Sequence, residues 1–357
     1  MVKIGVDAMG GDYAPRNVVI GALEAKRLLP DSVQLYLLGD KDNIAGICTE
    51  EGIDLGNFII VHCSQKVEMG EHPVKGYVKK PDSSVAVGFR MLASGELDAL
   101  ASAGNTGVML VGCMQTLKTL PGIHRPCISI EVPQMDGGKM LLLDVGFNAD
   151  CRADVLLQFA FLGSMYAKTM MGVENPRVAL LNIGEEPDKG ALVHKEAYEL
   201  LSVAPNLNFI GNLEAKHLFE GGRADVLVTD GFSGNVCLKQ AEAMYDVFSS
   251  QGIRNDYIER LNYEVYGGTP VLGVPAPVMI GHGSSSSKAI TYMILETYKA
   301  HQNDLVPPPP RGGGSHREFL VYARNGNWTK GSVEDHLTVS AELVAAGRQT
   351  DQTWASS

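Results

Sequence analysis

The stretch Asp225-Val-Leu-Val-Thr-Asp-Gly-Phe-Ser-Gly-Asn-Val-Cys-Leu-Lys239 restricts the fold more than any other part of the chain. Val226 to Val228 form a short apolar run suited to a buried strand. Asp230-Gly231 breaks that run. From Gly234-Asn235 onward apolar residues return at helical spacing, at Leu238, Ala241, Met244, Tyr245 and Phe248. A strand that stops at Asp-Gly and restarts as a helix exposes backbone N–H groups and the positive end of the helix dipole, which together make a ready anion site. The chain repeats this device, and a chain of such units has few folds open to it.

Lys3-Ile-Gly-Val6 reads as a buried strand running into Asp7-Ala-Met-Gly-Gly-Asp12. Pro15 stands where a helix can begin, with Val18, Val19, Ala22, Leu23 and Ala25 on one apolar face. Residues 33–38 and 58–61 read as the next strands and 68–76 as a polar loop. Asp82 or Ser83 can cap a helix carrying Val85, Val87, Phe89 and Leu92. Residues 97–102 form a strand that leads into an apolar helix ending at Leu117, and 128–146 read as two paired strands about Gly137-Gly138. A helix over roughly 152–171, a strand at 177–182 and a last helix from Lys288 complete the series. Strands alternating with helices predict an α/β sheet, mostly parallel, with helices on both faces and ligands beyond the carboxyl ends of the strands.

Three loops share one design, a strand end and a helix start with Gly and Asn, Ser or Thr between: Ser102-Ala-Gly-Asn-Thr-Gly107, Asp230-Gly-Phe-Ser-Gly-Asn235 and Gly281-His-Gly-Ser-Ser285. Glycine lets backbone N–H groups face a ligand, and the amide and hydroxyl side chains add neutral donors. Each loop alone is also explained as a turn with a helix cap. Placed at the same end of a parallel-type sheet, as expected here, the three together point to an anion. Other readings fail on spacing. No G-x-G-x-x-G follows a strand, Ser287 stands where a P-loop needs glycine before Lys288, and Gly231-Phe-Ser-Gly-Asn235 is one residue wrong for G-x-S-x-G. Carboxylates and histidines show no metal-ligand spacing, so neither metal nor cofactor is expected. Lys189, after a strand end and before Gly190, is either a counter-charge for phosphate or an oxyanion, or a solvated lysine among Glu185, Glu186 and Asp188. His72, Lys75, Arg125 and His282 carry the same two readings.

A formal net charge of −11 argues against nucleic-acid partners and against docking on anionic lipid, and admits a small anion only where local dipoles and cations outweigh the global field. The six cysteines show no paired or zinc spacing and read as reduced, mostly buried thiols. The chain opens on a strand, without a signal peptide, and no apolar run reaches membrane-spanning length, so a cytoplasmic location is expected. Beyond Val306 a run of four prolines (307–310) and Gly312-Gly-Gly-Ser315 form a linker, followed by a tail holding both tryptophans, Trp328 and Trp354. The expected division is a catalytic α/β unit over 1–305 and a weakly ordered tail over 306–357.

Taken together, Asp7-Ala-Met-Gly-Gly-Asp12, Ser102-Ala-Gly-Asn-Thr-Gly107, Leu181-Asn-Ile-Gly-Glu-Glu-Pro-Asp-Lys-Gly190, Asp230-Gly-Phe-Ser-Gly-Asn-Val236 and Gly281-His-Gly-Ser-Ser285 resemble the bacterial acyl-ACP:phosphate acyltransferases of phospholipid synthesis, the PlsX family. The match runs in order from residue 1 to about 305. The resemblance implies a Rossmann-like three-layer α/β/α fold related to phosphate acetyltransferases, and a homodimer. It implies transfer of a fatty acyl group from acyl-ACP to inorganic phosphate, giving acyl phosphate and free acyl carrier protein, with a glycerol-3-phosphate acyltransferase as a further partner. The family's catalytic lysine and active-site asparagine fall on Lys189 and Asn235. Around them, Asp7, Gly10, Gly11, Gly104, Asn105, Thr106, Gly107, Gly231, Ser233, Gly234, His282, Gly283 and Ser284 are the expected phosphate- and substrate-binding residues, with Ser233 a cap or donor rather than a nucleophile. Many family members also carry a long amphipathic hairpin that touches membrane. The corresponding 249–262 segment here is short, with Arg254 and Arg260 its only cations, and gives little support for peripheral contact at the inner face of the membrane. Two other readings share the loops: a short-chain phosphate acyltransferase using acyl-CoA, and a phosphate- or nucleotide-sensing module without catalysis.

Overall fold

Alternate residues of a strand face opposite sides of its sheet, and the buried apolar residues divide along that alternation. Leu141, Leu143, Val178, Leu180, Val226 and Val228 belong to one cluster, while Met140, Leu142, Ala179, Leu181 and Leu227 belong to the other. Strands that are apolar on both faces must be covered on both faces, which gives the three-layer α/β/α arrangement. The structure, a computed structural model, describes residues 1–262, 264, 266–303 and 305. The linker and tail expected over 306–357 lie outside the described residues.

In chain order the strands are β1 (Val2–Asp7), β2 (Val33–Gly39), β3 (Ile59–His62), β4 (Ala99–Ser102), β5 (Cys127–Pro133), β6 (Lys139–Leu143), β7 (Arg177–Asn182), β8 (Asn208–Glu214), β9 (Val226–Val228), β10 (Thr269–Leu272) and β11 (Val278–Ile280). The helices are α1 (Arg16–Leu28), α2 (Lys41–Glu51), α3 (Pro73–Lys79), α4 (Ser84–Ser94), α5 (Thr106–Gly112), α6 (Ala153–Thr169), α7 (Leu192–Ser202), α8 (Gly231–Ser250), α9 (Asp256–Arg260) and α10 (Ser287–Gln302). One sheet holds all eleven of these strands in the order β3-β2-β1-β4-β11-β10-β5-β6-β9-β7-β8.

The sheet consists of two parallel blocks. β3, β2, β1, β4 and β11 run one way. β6, β9, β7 and β8 are parallel among themselves. Between them β10 is antiparallel to both β11 and β5, and β5 is antiparallel to β6 across the expected turn at Gly137. Three reversals leave the second block opposed to the first. The expectation that loops 102–107, 230–235 and 281–285 share one end of a parallel-type sheet is therefore corrected. The first and third follow β4 and β11, whereas the second follows β9 in the opposed block.

On one face, Val18 and Ala22 of α1, Phe159 of α6, Leu201 of α7 and Ile294 of α10 join a common cluster, and Phe89 of α4 and Met109 of α5 join the other. Gly21 lets α1 close on α10, since a Cβ there would lie 2.5 Å from the Ser287 carbonyl oxygen. Two local expectations change. Residues 68–76, read as a polar loop, contain the start of α3, with Pro73 in its first turn. Ser83 precedes α4 but makes no side-chain cap, and the Asp82 carboxylate instead accepts the Ser64 N–H at 2.9 Å. Among the described residues no helix is long and apolar enough to cross a membrane.

Candidate active site

The loops of the first block brace one another before they offer anything to a ligand. Asp7, buried at the end of β1, accepts the Met9 N–H at 3.1 Å and the Ser102 hydroxyl at 2.7 Å. Burial pushes its carboxyl up, against hydrogen bonds from Ser84, Ser102, Met9 and Gly10. Gly10 is required at this junction, because a Cβ would sit 2.6 Å from Asp7 Oδ2 and 2.8 Å from Gly104 N. The turn then reaches Gly11 at φ 108°, and Asp12 N–H donates to the Gly283 carbonyl at 2.8 Å. Asn105 is also spent on structure: its Oδ1 accepts the Val108 N–H at the start of α5, and its Nδ2 donates to the Met69 carbonyl at 2.6 Å. A Cβ on Gly107 would lie 2.5 Å from Pro73 Cγ, so that glycine serves the packing of α5 on α3.

In the opposed block the opening of α8 is capped tightly. Asp230 accepts the Ser233 N–H at 2.8 Å and the Ser233 hydroxyl at 2.9 Å, while Gly234 N–H donates to the Asp230 carbonyl and Gly231 N–H to the Asn148 carbonyl. A Cβ on Gly234 would fall 1.9 Å from the Asp144 carbonyl oxygen, so this helix end sits against the 144–148 turn. At this helix end the N–H groups of Gly231, Ser233 and Gly234 already have partners within the protein, and the Asp230 carboxylate caps the first turn. The Ser233 hydroxyl is spent on the Asp230 carboxylate, as part of the cap of α8.

What α8 offers instead is its side chains. A cavity of about 440 Å³ lies where the two blocks meet, and Asn235 and Lys239 line it from successive turns of α8. Gly104 and Thr106 line it from the loop after β4, and His282, Gly283 and Ser284 from the loop after β11. Asp7, Gly10, Gly11, Asn105, Gly107, Gly231, Ser233 and Gly234 do not line it. Lys189 lies outside the cavity as well, on the loop after β7, with its half-exposed ammonium 3.9 Å from Glu186 Oε2 and its carbonyl held by Asn182 Nδ2.

Lys239 is the residue that sequence reasoning missed, although its i, i+4 spacing from Asn235 was legible. Its Nζ is 2.6 Å from Glu242 Oε2 and 3.2 Å from His282 Nε2. Burial first, and then the neighbouring Lys239 charge, hold His282 below its ordinary value, with Glu242 and Asp12 opposing. The imidazole is therefore neutral near pH 7. The thiols are the reverse of activated: burial raises Cys237 beside the site and pushes Cys63 and Cys151 up to about 12.

The cavity between the opposed blocks is thus lined by glycine turns, the Asn235 amide and the Lys239 ammonium. Solved structures with the same fold include a phosphotransacetylase from Streptococcus pyogenes (TM-score 0.61, 20% identity, 85% of this chain and 94% of that one). A branched-chain phosphotransacylase from Enterococcus faecalis is similar (TM-score 0.57, 17% identity, 85% and 99%). Residues 2–253 match the family described as "Fatty acid synthesis protein". Proteins named phosphate acyltransferase are 39% identical over 308 residues in Dictyoglomus turgidum and 42% identical over 309 in Heliobacterium modesticaldum, each covering 81% of this chain and 91% of the relative. The chain belongs to this phosphate acyltransferase (PlsX) family of acyltransferase enzymes.

Proposed function

We propose that the chain transfers a long-chain fatty acyl group from acyl-ACP to inorganic phosphate, giving acyl phosphate and free carrier protein for phosphatidic acid synthesis. The observation that carries this reading is the cavity itself, walled by glycine turns, Asn235 and Lys239 and lacking an activated nucleophile. A second cavity of about 280 Å³ shares Ile130, Tyr266 and Gly268 with it, so there is room for a donor longer than phosphate. Phosphate, partly dianionic near neutral pH, needs positioning more than deprotonation. Its oxygen attacks the thioester carbonyl carbon, a tetrahedral oxyanion forms, and collapse breaks the C–S bond and releases the carrier thiolate, which takes up a proton. Asn235 donates to the oxyanion or phosphate.

Lys189 is the second charge-stabilising group in this reading. Standing outside the cavity of its own chain, it acts only when the 183–190 loop or a second copy of the chain carries it to the substrate. A homodimer is accordingly part of the proposal, as are the 1–305 catalytic unit, a cytoplasmic setting and delivery of the product to a glycerol-3-phosphate acyltransferase. Lys189→Ala is expected to keep the wild-type melting temperature and lose most turnover; wild-type rates of acyl phosphate formation would remove Lys189 from the mechanism.

The decisive assay is thioester cleavage of long-chain acyl-ACP with and without phosphate. Cleavage is expected only with phosphate, and acetyl-CoA is expected to be a poor donor. Preference for acetyl-CoA would move the assignment to a short-chain acyltransferase, and phosphate binding without thioester loss to a sensing module.

A further inference from the structure

We infer that His217 is a positioning residue for Lys189, tying the 183–190 loop through Glu185 to the turn that follows β8. The inference rests on the reading of Lys189 as a charge-stabilising group and adds what holds that lysine in place. β8 runs beside β7 with Glu214 opposite Asn182, so the chain leaving β8 passes next to the loop leaving β7. His217 closes the short turn Ala215–His217 there and is 5% exposed. Its ring lies between two carboxylates: Nδ1 is 2.6 Å from Glu220 Oε2 on its own segment, and Nε2 is 3.2 Å from Glu185 Oε1 on the loop. The Glu185 contact is an ion-pair distance without hydrogen-bond alignment, and the buried Nε2 has no hydrogen-bond partner. Such a ring suits both carboxylates only as the imidazolium, which carries an N–H on each nitrogen; the neutral ring turns a lone pair on one of them. The hydrogen bond from His217 is the first cause that holds the Glu220 carboxyl below its ordinary value.

The rest of the loop is gripped from the same two strands. Asn212 of β8 donates through Nδ2 to the Glu186 carbonyl at 2.7 Å, and Asn182 of β7 donates through Nδ2 to the Lys189 carbonyl at 3.1 Å. Both of those grips are neutral and on the backbone. The His217 grip acts through charge and on a side chain, and it falls beside the residue on which Lys189 rests. A Cβ on Gly184 would lie 3.0 Å from Lys189 Cγ and 3.3 Å from its Cε, so the lysine stem runs over Gly184. A shift of residue 185 is therefore passed to the surface under that stem. The Lys189 ammonium gets little direction from Glu186 Oε2, which is 3.9 Å away in an exposed pair. Held in this way, the loop presents Lys189 in one place, and of the two routes above the second copy is the one that needs no loop movement.

Replacing His217 would also disturb the packing of a buried ring, so the test is made on Glu185, whose side chain is 53% exposed. In the full chain, Glu185→Ala is expected to melt within about 2 °C of the wild type. It is expected to lower kcat for acyl phosphate formation roughly 10-fold at nearly unchanged phosphate KM, the mark of a misplaced transition-state group. The same substitution in a Lys189→Ala background is expected to cost nothing further, because there is no lysine left to position. The charged groups at the ring are Glu185, Glu220 and, 3.4 Å from Glu220, Arg223. Since the tie needs the imidazolium, the kcat ratio of wild type to Glu185→Ala is expected to decline towards one as pH rises. Wild-type kcat in Glu185→Ala, an equal loss in both backgrounds or a ratio that does not change with pH overturns the positioning role. An inactive Lys189→Ala beside a fully active Glu185→Ala removes that role alone, whereas a fully active Lys189→Ala removes the Lys189 reading and the role with it.

Discussion

Asn235→Ala is expected to lower the rate of acyl phosphate formation by about 10²–10³ while leaving the protein folded, the usual cost of deleting one donor to a developing oxyanion. Asn235 is exposed on the second turn of α8, so its truncation opens no core cavity, and alanine is the better helix former there. The amide faces the cavity from the same helix as Lys239, and an ideal Cβ at Gly146 would lie 3.6 Å from its Oδ1, which marks how closely the 144–148 turn approaches it. A donor that acts in the transition state lowers kcat and kcat/KM together, whereas one that only helps phosphate bind raises phosphate KM. Asn235→Asp sharpens the test. It keeps the size, removes the N–H donors and adds a negative charge beside the phosphate, so it is expected to be at least as damaging as alanine. Variants with wild-type kcat and an unchanged melting temperature would remove Asn235 from the chemistry.

The sequence made the layers legible and concealed the direction of the strands. Runs such as Met140-Leu-Leu-Leu143 and Val226-Leu-Val228 are apolar at every position, which already requires cover on both faces. The opposition of the two blocks depends on β10, a four-residue strand that pairs antiparallel with β11 on one side and β5 on the other. Nothing in Thr269-Pro-Val-Leu272 states its neighbours, because pairing is a tertiary choice. The same limit applies to the site. Glycine turns announced that something approaches the backbone closely, but Gly10, Gly107, Gly231 and Gly234 turned out to be approached by the protein's own atoms. The Asp230-to-Ser233 spacing is legible as a helix cap, and the structure forms it.

Asp144→Ala is expected to destabilise the fold by roughly 4 kcal/mol, because the Asp144 carboxylate is the acceptor for three successive N–H groups of the 144–148 turn and for that of Ile128. Its Oδ1 accepts the N–H groups of Ile128, Gly146 and Phe147, and its Oδ2 accepts both the N–H and the side-chain amide of Asn148. The residue is fully buried, so water cannot replace those bonds after truncation. Asn148 retains its bond to the Pro126 carbonyl, but the backbone donors of 128 and 146–148 lose their partner. Asparagine keeps one carbonyl acceptor, so Asp144→Asn is expected to lose less. Burial raises the Asp144 carboxyl, against the hydrogen bonds from Asn148, Ile128 and Phe147. The folded state therefore binds its proton more tightly than the unfolded chain. The stability from this difference is complete below the ordinary carboxylate value and is lost as pH rises through the raised folded value, a dependence that both variants should lack. Urea midpoints at constant slope measure the effect, and a shift below about 1 kcal/mol for alanine would show that the turn does not depend on this acceptor. The consequence reaches the site, since the Asp144 carbonyl is what Gly234 packs against and the Asn148 carbonyl accepts from Gly231. At temperatures where Asp144→Asn remains folded, a fall in kcat beyond its loss of folded protein is the expected sign that this turn seats Asn235.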